Sequence, residues 1–307
     1  MFDDRYITTI HLTGDTKNYN RMEEAYYREE SVIPSLSVNA TFITPFQVKS
    51  YNNLLLEINT LAERIKIDIY SSFNYNKYKV NNQYDNIKCS YFLSFQNNSY
   101  SELSIQQEMD MFMKTSIQLL SSSTDELLIR NKIYTDICNS MGVPSAQVTY
   151  ARVFFNGNPI GFFQIKENPN VDYFKWYYDT SDFYSQINGH YSQMLYNGEF
   201  HSEFSDPKYL NKPEFDNYSN YWYQGKEVAD FFHDKNDLAN LFKKFHDKSS
   251  MEDINNMFSS NTFLKAMALD YVVNNEHSYL YNATNFILFL NKVNENIFIE
   301  TLIYIYK

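Results

Sequence analysis

The chain has 307 residues, a net charge of −11 and a pI near 5.0, with no basic run. That balance argues against nucleic-acid binding, which draws its affinity from Lys and Arg neutralising phosphates, and against docking on anionic membranes. No stretch approaches the roughly 18 uninterrupted apolar residues that a spanning helix needs, so no transmembrane segment is predicted.

The start, Met1-Phe2-Asp3-Asp4-Arg5, has acids where a secretory signal carries basic residues. It reads as the start of a cytoplasmic chain, or as a start that is incomplete. Residues 1–112 read as a β-rich region of strands and turns. Ser37–Phe46 and Ile65–Tyr70 alternate apolar and polar residues with β-branched enrichment, as half-buried strands do. A helix is expected around Leu54–Arg64, and Asn74–Asn86, built of Asn, Tyr, Lys, Val, Gln and Asp, reads as a loop.

Residues 113–168 give the sharpest pattern, a strand, a helix and a hairpin. Ser116–Leu120 is the strand. Ser123 stands three residues ahead of Glu126, a capping box that predicts a helix over Ser123–Ser140. Gly142 supplies a left-handed stop and Pro144 prevents continuation. Gln147–Phe155 and Ile160–Lys166 then form a hairpin turning at Asn156-Gly157, a strong two-residue turn signal.

Residues 169–307 are expected to be aromatic-rich and mostly helical, and to be truncated. The stretch 169–235 is irregular; Asp237–Asp247, a short helix opening at Ser250 and Thr262–Val273 follow, the last with Phe263, Ala266, Met267, Asp270 and Tyr271 along one side.

Several signals carry little function. The 28 Tyr, 25 Phe and abundant Asn are what AT-rich codons favour, so their clusters are discounted. The four sequons at Asn39, Asn97, Asn217 and Asn282 are what chance yields in such a chain. Cys89 and Cys138 are too few for a disulfide scaffold or a cysteine zinc site, and Cys138 reads as a buried free thiol. Gly14 is the only glycine before Gly142, which excludes an ordinary glycine-rich phosphate loop, and the six histidines show no metal-ligand spacing.

Four stretches carry a resemblance. Leu128-Ile129-Arg130-Asn131-Lys132, running to Met141-Gly142-Val143-Pro144-Ser145, is the first. Tyr150-Ala151-Arg152-Val153-Phe154-Phe155-Asn156-Gly157 through Phe163 is the second, and Asn261-Thr262-Phe263-Leu264-Lys265-Ala266-Met267-Ala268 the third. Tyr271-Val272-Val273, Tyr279 and Asn285-Phe286 are the fourth. In this order they resemble the CotH (spore-coat H) kinase-like family, as a divergent fungal-type member, over about Lys114 to Phe289. Members of that family are atypical protein kinases of spore coats, and related fungal proteins sit at cell surfaces and can act in adhesion. The resemblance implies an α+β, kinase-like two-lobe fold with a β-rich N-terminal part and a mostly helical C-terminal part.

It also implies ATP and magnesium as cofactors, and a protein partner or protein substrate. Phosphoryl transfer needs a lysine on the phosphates, acidic or amide groups on the metal and an aspartate beside the acceptor hydroxyl. Where the family has its strand lysine, this chain has Gln118 in Ile117-Gln118-Leu119-Leu120, and Lys114 four residues earlier is either its substitute or an exposed strand-edge lysine. His277 falls on the family's catalytic aspartate, beside Glu276. Arg130 and Glu167 are the further nucleotide-side residues, and Asn285 and Glu300 the metal-facing ones; no aspartate follows Asp270. Gln118, Arg130, Glu167, His277 and Asn285 would line one cleft. The resemblance thus implies a catalytically degenerate pseudokinase that binds or scaffolds. The alternatives are an active atypical kinase with altered catalytic residues and a surface or adhesion protein on the same fold.

Overall fold

The computed structural model of the chain describes residues 5–28, 30–59, 79–80, 83–84, 89–95, 116–121, 127–168, 193–198, 221–223, 243, 247, 250, 252, 260–275, 279–282, 286–291 and 296–300. The chain divides into two compact units. The first comprises Met1–Lys132, Ala146–Asn168 and Tyr306–Lys307, and the second Ile133–Ser145 and Pro169–Ile305.

The first unit is built on β1 (Thr8–Gly14), β2 (Leu36–Ile43), β3 (Val48–Ile58), β6 (Tyr91–Ser94), β7 (Ser116–Leu120), β8 (Val148–Phe155) and β9 (Asn158–Glu167). A small antiparallel pair, β4 (Lys79–Val80) and β5 (Gln83–Tyr84), lies between β3 and β6 in sequence. The seven longer strands close into a barrel in the order β1-β2-β3-β6-β7-β9-β8. Successive pairs are antiparallel except the closing one, where β1 runs parallel to β8 with Ile10 opposite Val153. Among the described residues, closure gives each of the seven strands a paired neighbour on both sides, which an open sheet denies its edge strands. Alternate residues point inward. Ile10, Leu12, Leu56, Leu93, Phe163 and Ile165 are among those that fill the interior, with no exposed surface.

The hairpin forms as predicted, with Asn156 and Gly157 at φ 48° and 82°. Its tip also seals the barrel. The Asn156 amide NH donates to the Leu12 carbonyl (2.8 Å). Its side-chain Nδ2 donates to the Gly14 carbonyl and to Thr16 Oγ1, and its Oδ1 accepts from the Gly14 amide. Between β1 and β2 lies a helix, α1 (Thr16–Tyr27), in a region whose sequence predicts strands and turns. Asp15 caps it, accepting from the Asn18 amide (2.7 Å), and Tyr19, Met22 and Ala25 make its buried face.

In the second unit, α2 (Arg130–Ser140) and α3 (Ser260–Val273) pack together, α2 contributing its residues from Ile133 onward. Tyr134, Cys138 and Val143 meet Ala266, Met267 and Leu269. Gly142 at φ 71° ends α2 as expected, with the Val143 amide donating back to the Cys138 carbonyl. The short α4 (Tyr279–Asn282) follows, its Tyr279 ring edge-on to Phe263 at 5.3 Å. Strands β10 (Gln193–Gly198), β11 (Tyr221–Tyr223), β12 (Phe286–Asn291) and β13 (Asn296–Glu300) form an antiparallel sheet in the order β11-β10-β12-β13.

Three expectations are corrected. The kinase-like two-lobe fold with a mostly helical C-terminal part does not form: the chain closes a seven-stranded barrel, and residues 193–300 supply a four-stranded sheet. Short aromatic runs such as Tyr221–Tyr223 have too few residues to show a period, and their strand character comes from pairing partners distant in sequence. The helix expected around Leu54–Arg64 is strand through Ile58, because Leu54, Leu56 and Ile58 enter the barrel core at a period of two. The helix predicted from Ser123 starts at Arg130. Leu127–Ile129 are not helical, and Leu128 adopts φ 56°, its carbonyl accepting from the Tyr150 hydroxyl and from Gln164 Nε2 at 2.6 Å each. Ser123 and Glu126 themselves, the strand expected at Ile65–Tyr70, and most of the helix expected at Asp237–Asp247 lie outside the described residues.

Candidate functional site

Every residue of β7 is buried, on both faces of the strand. Ile117 and Leu119 belong to the barrel core, so Gln118 between them points away from it. Its amide is held at both ends. Oε1 accepts from Asn59 Nδ2 (3.1 Å), and Nε2 donates to Asn168 Oδ1 (3.4 Å). Asn168 Nδ2 donates in turn to Ser116 Oγ (2.8 Å). Ser90 and Ser121 are hydroxyl to hydroxyl at 3.2 Å, and the Ser121 amide donates to Ser90 Oγ. The result is a buried polar stripe on the side of β7 opposite the apolar interior.

The strand beside it, β9, alternates in the same way. Phe163 and Ile165 face the core, and Gln164 and Lys166 the other side. In the β7–β9 ladder Gln118 is directly opposite Lys166, and Ile117 opposite Glu167. Lys166 is 1% exposed and Gln118 2%. Glu167 is also buried, its Oε2 accepting from the Gln147 amide (2.9 Å), while its own amide donates to the Gln147 carbonyl. That carboxylate therefore ties the entrance of β8 to the exit of β9. Arg130 is exposed at the first turn of α2; next to it Asn131 Nδ2 donates to Gln164 Oε1 (3.0 Å).

Of the residues singled out from the sequence, Gln118 and Glu167 are brought onto paired strands. Arg130 belongs to the same unit. Lys114, Glu276, His277 and Asn285 lie outside the described residues, and Glu300 is described as the end of β13, its backbone paired with Ile287. Within the second unit, Asp270 of α3 has no exposed surface. Its Oδ1 accepts from the Tyr134 hydroxyl and from Asn275 Nδ2, both at 3.1 Å, and its carbonyl accepts from the Asn275 amide. These bonds anchor the residue immediately before Glu276. Burial, and then the nearby Asp270 carboxylate, push the Tyr134 phenol far above its ordinary pKa, so it stays protonated and donates.

Sequence reasoning missed Asn59, Asn168, Lys166 and the role of Asp270. Strand alternation would place Lys166 on a solvated face, and nothing local reports that this face is covered. Among the described residues no three His, Cys, Asp or Glu side chains converge as a metal site. The described histidine, His11, stacks on Phe154 at 4.9 Å. No described helix is long and apolar enough to cross a membrane.

Comparison with known proteins gives one family. A family model described as "CotH kinase protein" matches residues 77–299. No curated protein matches the chain.

Proposed function

The chain belongs to the CotH kinase family, and from that premise we propose that it is a catalytically degenerate member, a pseudokinase that binds or scaffolds a protein partner and does not transfer phosphate. Gln118 is the observation that carries this reading. It occupies the position where the family pattern places the phosphate-pairing lysine, and its amide is engaged by Asn59 and Asn168. A neutral amide cannot offset phosphate charge, and phosphoryl transfer depends on positioning and electrostatic stabilisation.

The acidic side is equally altered. His277 stands for the expected aspartate, with Glu276 beside it, and no aspartate follows Asp270. ATP, when bound, would supply the phosphoryl group, and magnesium the charge that neutralises it. The family resemblance assigns Lys114, Arg130 and Glu167 to the nucleotide and Asn285 and Glu300 to the metal, and Glu167 is engaged by the Gln147 amide. That donor set fits a magnesium nucleotide poorly, because the metal side holds one amide and one carboxylate and the position for phosphate is neutral.

Nucleotide binding is therefore expected to be weak and to gain little from magnesium. Thermal-shift titration with ATP, with and without the metal, checks this. A stabilisation of several degrees that requires magnesium overturns the reading, since a ligand raises stability by mass action. Radiolabel transfer is the companion measurement. His277→Asp restores a carboxylate, yet general base catalysis contributes only about 10²–10⁴-fold and acts as a unit with the missing electrostatic groups. No phosphate incorporation is expected from that variant, in itself or in an acidic or serine-rich acceptor. Robust transfer would make the chain an active kinase.

A further inference from the structure

Both ends of the Asn156 side-chain amide are engaged where the barrel closes. Oδ1 accepts from the Gly14 amide (3.1 Å), and Nδ2 donates to the Gly14 carbonyl (2.8 Å) and to Thr16 Oγ1 (2.9 Å). Gly14 offers bare backbone at this point: a Cβ there would lie 3.2 Å from Val38 Cγ1 and 3.3 Å from the Ser37 carbonyl. With its own amide NH on the Leu12 carbonyl, one exposed residue ties the β8–β9 turn to the end of β1. The residue that follows is Gly157, at φ 82°. Asparagine before glycine is chemically labile, because no side chain shields the next amide nitrogen from the asparagine Cγ.

We propose that Asn156 is a modification site, a latch on barrel closure that spontaneous deamidation removes irreversibly. The Gly157 amide nitrogen attacks Asn156 Cγ and gives its proton to solvent. The bond from Cγ to Nδ2 breaks, and Nδ2 takes up a proton and leaves as ammonia. Water then opens the cyclic imide. Cleavage at Cγ leaves aspartate, and cleavage at the main-chain carbonyl leaves isoaspartate, which lengthens the turn by one backbone atom. While the barrel is closed, the bonds to Gly14 and Thr16 hold the side-chain amide toward β1, and the attack waits for them to break. After the step the donor is gone. An ionised carboxylate only accepts, so where Nδ2 met the Gly14 carbonyl two acceptors face each other. Deamidation therefore marks a chain whose barrel has opened and opposes its reclosure. The inference stands apart from what the chain binds.

Peptide mass mapping of the full chain, incubated folded and in urea in the same mildly alkaline buffer, tests the first half. In urea Asn156 should deamidate readily, as should Asn188 and Asn197, which also precede glycines. In the folded chain, conversion at Asn156 should be at least about tenfold slower, since modification of an opened state follows its population. Equal rates in the two states overturn the proposal. Urea denaturation of Asn156→Asp tests the second half, against Asn158→Asp, which adds the same charge at an exposed neighbouring position. Asn156→Asp should have the lower midpoint, or fail to refold where Asn158→Asp folds. Equal behaviour of the two variants, or a larger loss at position 158, overturns the latch.

Discussion

In the barrel unit Tyr19 and Tyr91 share the half-buried Glu23 carboxylate, whereas in the α2–α3 pair Tyr134 shares Asp270 where no surface is exposed. The chemistry is the same, a phenol donating to a carboxylate, and the setting differs. Glu23 sits on a helix whose other face meets water, so a lost phenol can be replaced by solvent. Asp270 has no exposed surface, and Tyr134 and Asn275 both donate to its Oδ1. A buried acceptor deprived of a donor keeps its full desolvation cost, while a rim acceptor recovers most of it. The aromatic excess that composition attributes to codon usage thus has two structural uses, a tolerant one and an intolerant one.

Alkaline titration tests the comparison at its largest. Burial first, and then the neighbouring ionisable groups, hold the Tyr19, Tyr91 and Tyr134 phenols above their usual pKa. Unfolded tyrosine ionises near about pH 10. Above that pH the unfolded chain releases protons that the folded chain keeps. Stability is therefore fully present below about pH 10 and falls as pH rises, by up to about 1.4 kcal/mol per pH unit for each tyrosine. Urea midpoints measured on either side of about pH 10 check this; flat midpoints would show the three phenols to be wet.

Next in size is truncation of the barrel interior. Phe163→Ala empties a site with no exposed surface at the centre of β9 and is expected to cost about 3–5 kcal/mol by urea denaturation. A loss under about 1 kcal/mol would mean that the barrel interior collapses around the gap. The third test separates the two clusters directly. Tyr134→Phe should cost about 1–3 kcal/mol, and Tyr91→Phe no more than about 1 kcal/mol, since Glu23 keeps Tyr19 and water. Equal losses would erase the distinction. At the hairpin tip, Asn156→Ala keeps φ 48° without the side chain that bonds Gly14 and Thr16, and should lose about 1–2 kcal/mol of barrel stability, less than the emptied barrel interior.

How legible the molecule was depended on the range of the interaction. The hairpin was readable because Asn156-Gly157 encodes its own backbone conformation, and the end of α2 because Gly142 does. The helix start was misread. Ser123 and Glu126 form a plausible capping box, but Leu128 is turned into the left-handed region where Tyr150 and Gln164, from β8 and β9, bond its carbonyl. A local signal lost to contacts 22 and 36 residues away. At the candidate site, Gln118 and Glu167 were found by resemblance to a family pattern, while Lys166 was passed over as a strand residue of the outward set. Its burial and its position opposite Gln118 are properties of the β7–β9 register.

The amino-acid sequence by itself determined the family, the acidic and aromatic character and the hairpin turn, because each of these is written in local runs of residues. Only the tertiary structure decided that the strands close into a barrel. Closure depends on Ile10 meeting Val153 in a parallel pair and on Asn156 reaching Gly14 across 142 residues of chain. No local period encodes such a pairing, since the free energy that selects it comes from the apolar interior that exists only once the last strand is in place.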